Sequence, residues 1–258
     1  MAIITLTTDW GEKDYYIGTV KGSILSLMPD VTIVDISHKI NHFDIEPASF
    51  VIKNCYKSFP KGTIHIIGVN SEASIETPHV LICYKGYYFI GADNGIFSLI
   101  FDEKPEKIIE ITIYQDSNYF TFPTQDIFIK VAHRIIQGDT LKSIGIERNT
   151  INQLIQLKPI VEENAIKGNV IYVDSYENVI TNITEPIFRE IGKGRRFTIS
   201  FRSGYEINTI SHAYKDAESG EKLALFGSSG YLEIALNMGK ASSLLGLKLK
   251  DSIRIDFD

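Results

Sequence analysis

Cysteine is scarce in this 258-residue sequence. Cys55 and Cys83 are the only two, in neither a metal-ligand nor a redox spacing, which argues against a disulfide scaffold. Positive charge is also short: 26 Lys and Arg face 32 Asp and Glu, for a net charge of −6. That balance removes the electrostatic case for nucleic acid or an anionic membrane surface as partner. No run approaches the roughly twenty apolar residues of a membrane span. The opening Met1–Asp9 lacks a basic segment and a long apolar one, so the expected compartment is the cytoplasm. There is no internal repeat or low-complexity segment, and no Walker loop, G-x-G-x-x-G, H-E-x-x-H or G-x-S-x-G. The six histidines (38, 42, 65, 79, 133 and 212) are dispersed without ligand spacing, so no metal site is expected. His65 alternates within a strand pattern and His133 lies in a helical one, and both read as structural.

What is present is a soluble-globular composition, 44% hydrophobic and 22% charged. Residues 3–7 form an apolar strand pattern ending in Thr8-Asp9-Trp10-Gly11, and a polar group directly after a first parallel strand sits where open α/β sheets bind ligands. Helical spacing follows over 15–28 with Asp14 as N-cap, then a strand over 31–36 and a helix over 46–58. Strands are predicted over 63–69 and 107–113, a hairpin over 80–91 around Lys85-Gly86, a tight turn at Asp93-Asn94-Gly95, and a helix over 126–137. This alternation predicts an N-terminal α/β/α domain, residues 1–158, on a mostly parallel sheet. From 159 to 258 the texture becomes short extended runs separated by Gly, Asn and Ser, predicting a smaller all-β, barrel-like domain.

One stretch combines several functional groups. Val170–Val173 and Val179–Ile183 flank Asp174-Ser-Tyr176-Glu-Asn178, which puts a carboxylate, an aromatic and a carboxamide on one bend. Such a bend can offer a charge partner, a stacking face and an amide; taken alone, it reads rather as a hairpin turn whose Asp and Asn serve their own backbone. Gly227-Ser228-Ser229-Gly230 can present hydroxyls and backbone N–H groups to a carboxylate, but such a run is more often a tight turn between strands.

Read together, these segments resemble the S-adenosyl-L-methionine (SAM) hydroxide adenosyltransferases, the family related to the SAM-dependent fluorinase and chlorinase. The resemblance rests on six pieces in order: Thr8-Asp9-Trp10-Gly11 with Asp14 and Lys21-Gly22; Ile33–His38; Phe59–Thr63; Gly91–Gly95; Asp174-x-Tyr176-x-Asn178 with Thr181-Asn182-Ile183; and Ser228–Asn237. It implies an α/β domain followed by a β-barrel. It also implies a homotrimer whose site lies between neighbouring subunits, and SAM or adenosine as the small-molecule partner, with no cofactor beyond SAM as substrate or ligand. By position it assigns Asp9 to the ribose diol, Phe43 to a wall beside the sugar, Asp174 to the methionine ammonium and Tyr176 to stacking on adenine. Asn178 and the backbone around Asn237 and Met238 would read the adenine edge, and Ser228 and Ser229 would hold the methionine carboxylate. The implied reaction is attack of water or hydroxide on the 5′ carbon, releasing adenosine and methionine.

The family's water-activating Asp, Arg and His are where this sequence departs. Asn70 stands for the Asp, Thr77 for the Arg and Pro123 for the His, leaving Asn70, Thr77 and Thr124 as candidate groups to hold a water. The alternatives are a chain that binds SAM or adenosine with little turnover, or adenosyl transfer to another nucleophile.

Overall fold

A computed structural model of the chain describes residues 2–114, 121–202 and 204–258. Their contacts divide into two compact units, Met1–Leu154 and Ile155–Asp258.

The first unit runs β1 (Ile3–Thr8), α1 (Tyr16–Leu27), β2 (Thr32–Ser37), α2 (Ile45–Cys55), β3 (Ile64–Gly68), β4 (His79–Tyr84), β5 (Tyr87–Ala92), α3 (Ile96–Ile100) and β6 (Lys107–Ile111). A π-helical turn, Thr124–Phe128, then leads into α4 (Ile129–Gln137), α5 (Leu141–Ile144) and β7 (Gly145–Arg148). The seven strands form one mixed sheet in the order β2-β1-β3-β5-β4-β6-β7. β2, β1, β3 and β5 are parallel, and β4, β6 and β7 are added antiparallel through the Lys85-Gly86 hairpin. Apolar side chains alternate across the sheet into two cores. Ile4, Leu6, Ile64 and Ile66 pack with Val20 and Ile24 of α1 and Val131 of α4. Ile67, Ile82 and Phe89 pack with Ala48 and Ile52 of α2 and Phe97 of α3. The result is the expected helix–sheet–helix layering.

Asp14 does not cap α1. The N-cap position is Tyr15, in helical conformation and with no side-chain cap bond. The entry is set instead by aromatic packing: Tyr16 meets Phe122 edge-on at 5.3 Å, and Phe122 in turn meets Trp10 at 5.1 Å.

The second unit contains β8 (Ile160–Val161), β9 (Ala165–Val173), β10 (Val179–Thr184), α6 (Glu185–Gly192), β11 (Phe197–Phe201), β12 (Tyr205–Ile207), β13 (Lys222–Phe226), β14 (Tyr231–Leu236), α7 (Ala241–Leu245) and β15 (Ser252–Phe257). All pairings are antiparallel, in the order β12-β11-β15-β9-β10-β14-β13, with β8 beside β9. The chain beyond β12 reaches β13 through Ser211 N–H to the Ala224 carbonyl, 2.8 Å, which nearly closes a barrel. Inward residues such as Ile166, Val170, Ile199, Leu232, Ile234 and Ile255 fill it. Among the described residues no helix is long and apolar enough to cross a membrane, and no group of three or more His, Cys, Asp or Glu is placed to hold a metal ion.

Candidate functional site

In the first unit the site is built where β1 and β3 end, at the carboxyl edge of the parallel strands. Asp9 follows β1 directly and is 6% exposed. Its Oδ2 accepts the backbone N–H of Phe43 at 2.8 Å and, more weakly, that of Asn70 at 3.4 Å. Both residues are left-handed, with φ of 64° and 44°. A side chain in that region costs roughly 1 kcal/mol or more unless its surroundings hold it, and the carboxylate supplies that hold. Among the described residues Oδ1 has no protein donor. The Phe43 ring stands 73% exposed beside it. Asn94 secures Asn70 from the other side, its amide donating to the Asn70 and Val69 carbonyls at 2.9 and 3.3 Å. Its Oδ1 accepts from Ile96 N–H at 3.2 Å, at the start of α3.

A polar chain runs from Thr8, next to Asp9, outward to the surface, buried at Thr8 and His38, exposed at Asp35 and partly exposed at Lys21. The Thr8 hydroxyl meets His38 Nδ1 at 2.7 Å, His38 Nε2 lies 3.1 Å from Asp35, and Lys21 reaches Asp35 at 2.5 Å. Burial raises the Asp35 carboxyl, but hydrogen bonds from Lys21 and His38 outweigh it and leave the pKa below its ordinary value. The His38 carbonyl accepts Gly11 N–H at 2.8 Å, fixing the turn that carries Asp9.

The three candidate water-holding groups share no hydrogen bond with one another among the described residues. Asn70 is exposed and sits against Asp9. Thr77 closes a turn of its own, its N–H donating to Ser74 Oγ at 3.0 Å with the two hydroxyls 2.8 Å apart. Thr124 is fully buried with Oγ1 unpartnered, 3.2 Å from where a Cβ on Gly68 would lie. That same point is 2.6 Å from the Trp10 ring, so Gly68 lets β3 pass beneath the indole. Pro123 is buried at the head of the π-helical turn. His79, missed as a tether in the sequence, donates its Nε2–H to the Ser71 carbonyl at 2.8 Å; burial lowers its pKa, and that carbonyl works against the lowering. It therefore anchors the loop as a neutral ring.

In the second unit the Asp174–Asn178 bend is self-bonded. Asp174 Oδ1 accepts from Tyr176 and Asn178 N–H at 2.9 and 2.8 Å, and Oδ2 from the Asn178 amide at 3.0 Å. The bend thus serves its own backbone, as the local pattern allows, while turning the Tyr176 ring 75% into solvent. Glu177 pins it to the loop after β14 through Lys240, 2.8 Å. On that loop Asn237 uses its amide to hold the Ala217 carbonyl at 2.8 Å, and Met238 is 88% exposed with φ of 54°. Ser228 and Ser229 occupy the β13–β14 turn, closed by Gly230 N–H to the Gly227 carbonyl at 2.9 Å. Ser228 is exposed and Ser229 half-buried.

The sequence reading passed over one residue here. Glu233 of β14 is 7% exposed, and Tyr214 donates its hydroxyl to Oε1 at 2.6 Å. Strand alternation marks Glu233 as outward-facing; nothing local signals that the chain around Tyr214 covers it.

Both units match models of one family. Residues 4–145 match the SAM hydroxide adenosyltransferase N-terminal domain and residues 168–254 the C-terminal domain. An (R)-S-adenosyl-L-methionine hydrolase of Methanocaldococcus jannaschii is 29% identical over 98% of this chain and 95% of its own length. A fluorinase of Nocardia brasiliensis is 23% identical over 98% of this chain and 96% of its own. The crystal structure of an uncharacterized conserved protein from Thermotoga maritima superposes with a TM-score of 0.89 at 30% identity, covering 99% of this chain and all of that one. With both domains matched in order across nearly its whole length, the chain belongs to the SAM hydroxide adenosyltransferase family.

Proposed function

We propose that this protein cleaves SAM at the 5′ carbon, with water as nucleophile, to adenosine and L-methionine. The observation that carries the reading is Asp9: a nearly buried carboxylate with Oδ2 engaged by backbone amides and Oδ1 open beside the exposed Phe43 ring. Two adjacent ribose hydroxyls suit such an acceptor. In the second unit Tyr176 offers the stacking face for adenine, Asn178 and the backbone at Asn237 and Met238 its edge, Asp174 a charge for the ammonium, and Ser228 with Ser229 donors for the carboxylate. The two halves complete one pocket when subunits assemble as a homotrimer. With Cys55 and Cys83 both free thiols, a reducing, cytoplasmic compartment fits the chain.

The chemistry asks little of acid–base groups. The oxygen–C5′ bond forms as the C5′–S bond breaks, the electron pair returns to sulfur to give the thioether of methionine, and the proton lost from the attacking water passes to bulk solvent. A sulfonium leaves readily, so holding a water in line and excluding others is the protein's main task. Asn70, fixed on both sides by Asp9 and Asn94, is the group we assign to orienting that water, with Thr124, whose buried Oγ1 has no protein partner among the described residues, as a further hydroxyl.

A second reading, binding with little turnover, is favoured by Thr77 being spent on Ser74 and by the Pro123 ring having neither donor nor acceptor. The test is incubation of the purified protein with SAM, following adenosine and methionine, with binding measured in parallel. We expect turnover that vanishes in Asp9→Ala. Tight binding with no release above that control selects the second reading, and no binding of SAM, adenosine or methionine removes both.

A further inference from the structure

The β13–β14 turn and the face of β14 beneath it carry an arrangement the assigned roles leave unused. Glu233 lies between Ile180 on β10 and Leu225 on β13, its cross-strand neighbours, both buried and apolar. A carboxylate in such a row is expensive, and an apolar side chain would serve the barrel better. Its only hydrogen-bond donor among the described residues is the Tyr214 hydroxyl, on Oε1. Oε2 has no partner among the described residues and points at the turn: a Cβ on Gly227 would lie 2.9 Å from it. Gly227 therefore leaves a gap between Oε2 and the Ser228-Ser229 turn, and Ser229 Oγ is 3.9 Å from that same point. No Lys, Arg or His forms an ion pair with Glu233 or Asp174 among the described residues. Burial raises the Glu233 carboxyl above its ordinary value, Tyr214 lowers it, and the Asp174 charge raises it further. The Glu233 carboxyl thus feels the Asp174 charge, with no ion-pair partner of its own among the described residues.

An open carboxylate oxygen next to hydroxyls is complementary to the two ends of an amino acid, whose ammonium and carboxylate lie on one carbon. Asp174, by contrast, already receives three N–H donors from its own bend. We infer that Glu233 is a specificity-determining residue of this half-site, taking the α-ammonium of the ligand's amino-acid end on Oε2 beside the Ser228-Ser229 turn, together with Asp174. This rests on the SAM reading above. Tyr214 is its positioning residue, holding the carboxylate in the orientation that leaves Oε2 free.

The test is calorimetric titration of the full-length protein with SAM and with adenosine, for wild type, Glu233→Gln and Tyr214→Phe. Glu233→Gln keeps the shape and an acceptor for Tyr214 but removes the charge. We expect its Kd for SAM to rise tenfold or more while adenosine binds as in wild type, because adenosine has no ammonium. Tyr214→Phe should weaken SAM about threefold and again leave adenosine alone, so it answers the question even where Glu233→Gln does not fold. Unchanged SAM affinity in both variants, or equal loss for SAM and adenosine, overturns the assignment. Failure of wild type to bind either compound overturns the SAM reading itself, and is seen before any substitution is made.

Discussion

His65 shows how a single side chain can set the acid limit of this fold. It is 1% exposed, with Nδ1 on the Thr5 hydroxyl at 2.7 Å and its ring stacked on Phe89 at 4.8 Å. Burial pushes its pKa down to about 4. The neutral ring belongs to the folded state, so its contribution is whole above the ordinary value near 6.5 and is lost as pH falls through about 4. Across that window the unfolded chain takes up a proton the folded one refuses, a loss of roughly 3 kcal/mol. Urea unfolding of wild type and His65→Gln should therefore show the wild-type advantage shrinking between pH 6.5 and pH 4; an advantage that does not change with pH would contradict this. His65 as a structural residue was legible, since it alternates among buried strand positions. Glu233 was not, because its cover comes from Tyr214, nineteen positions away, and no local pattern carries that distance.

At the level of elements, the parallel strands and the Lys85-Gly86 hairpin follow from period and turn residues, whereas α3 does not. Its five residues, Ile96–Ile100, are too few and too uniformly apolar for a helical period, and the preceding Asp93-Asn94-Gly95 reads only as a turn. That turn is in fact a junction. Asp93, fully buried, accepts Asn152 N–H on both oxygens at 3.0 Å, and the Asn152 amide donates to the Asp93 carbonyl and, at 2.7 Å, to the Glu76 carbonyl. The segment after β7 thereby holds the far end of the loop that begins at Asn70. Asn152→Ala removes two side-chain donors and should cost about 1–3 kcal/mol. It should also speed proteolytic cutting within residues 72–76 without altering far-ultraviolet circular dichroism; an unchanged cutting rate would show that the loop is held otherwise. Gly145 sets a second constraint here, since a Cβ would fall 1.8 Å from the Glu110 carbonyl oxygen and break the β6–β7 pairing.

For the whole molecule, the change of class between the two units was legible in the change from strand–helix alternation to short strands. Assembly was not, because it lies in surfaces that no period marks. Phe43, Ile75, Tyr176 and Met238 are each more than 70% exposed, at 73%, 101%, 75% and 88%. Singly, such residues are ordinary. In the proposed homotrimer Phe43, Tyr176 and Met238 belong to half-sites, so adenosine binding should depend on assembly. Light scattering behind gel filtration should find three chains of 29.0 kDa, 87 kDa in all. Dilution to monomer should abolish adenosine binding, and a monomer binding with full affinity would refute the shared pocket.

The double duty of Asp9 bears on how the history of such chains is to be read. Its carboxylate is a structural tie between two left-handed loops before it is anything else. Purifying selection on folding alone is enough to retain it, even in a lineage that has abandoned its ligand. Glu233 is the reverse: a buried carboxylate that the barrel would be steadier without. Drift in a chain freed from its ligand should erase Glu233 early and Asp9 late. The acidic residue on β14, rather than the one after β1, is then the position at which a working descendant and a relic part company.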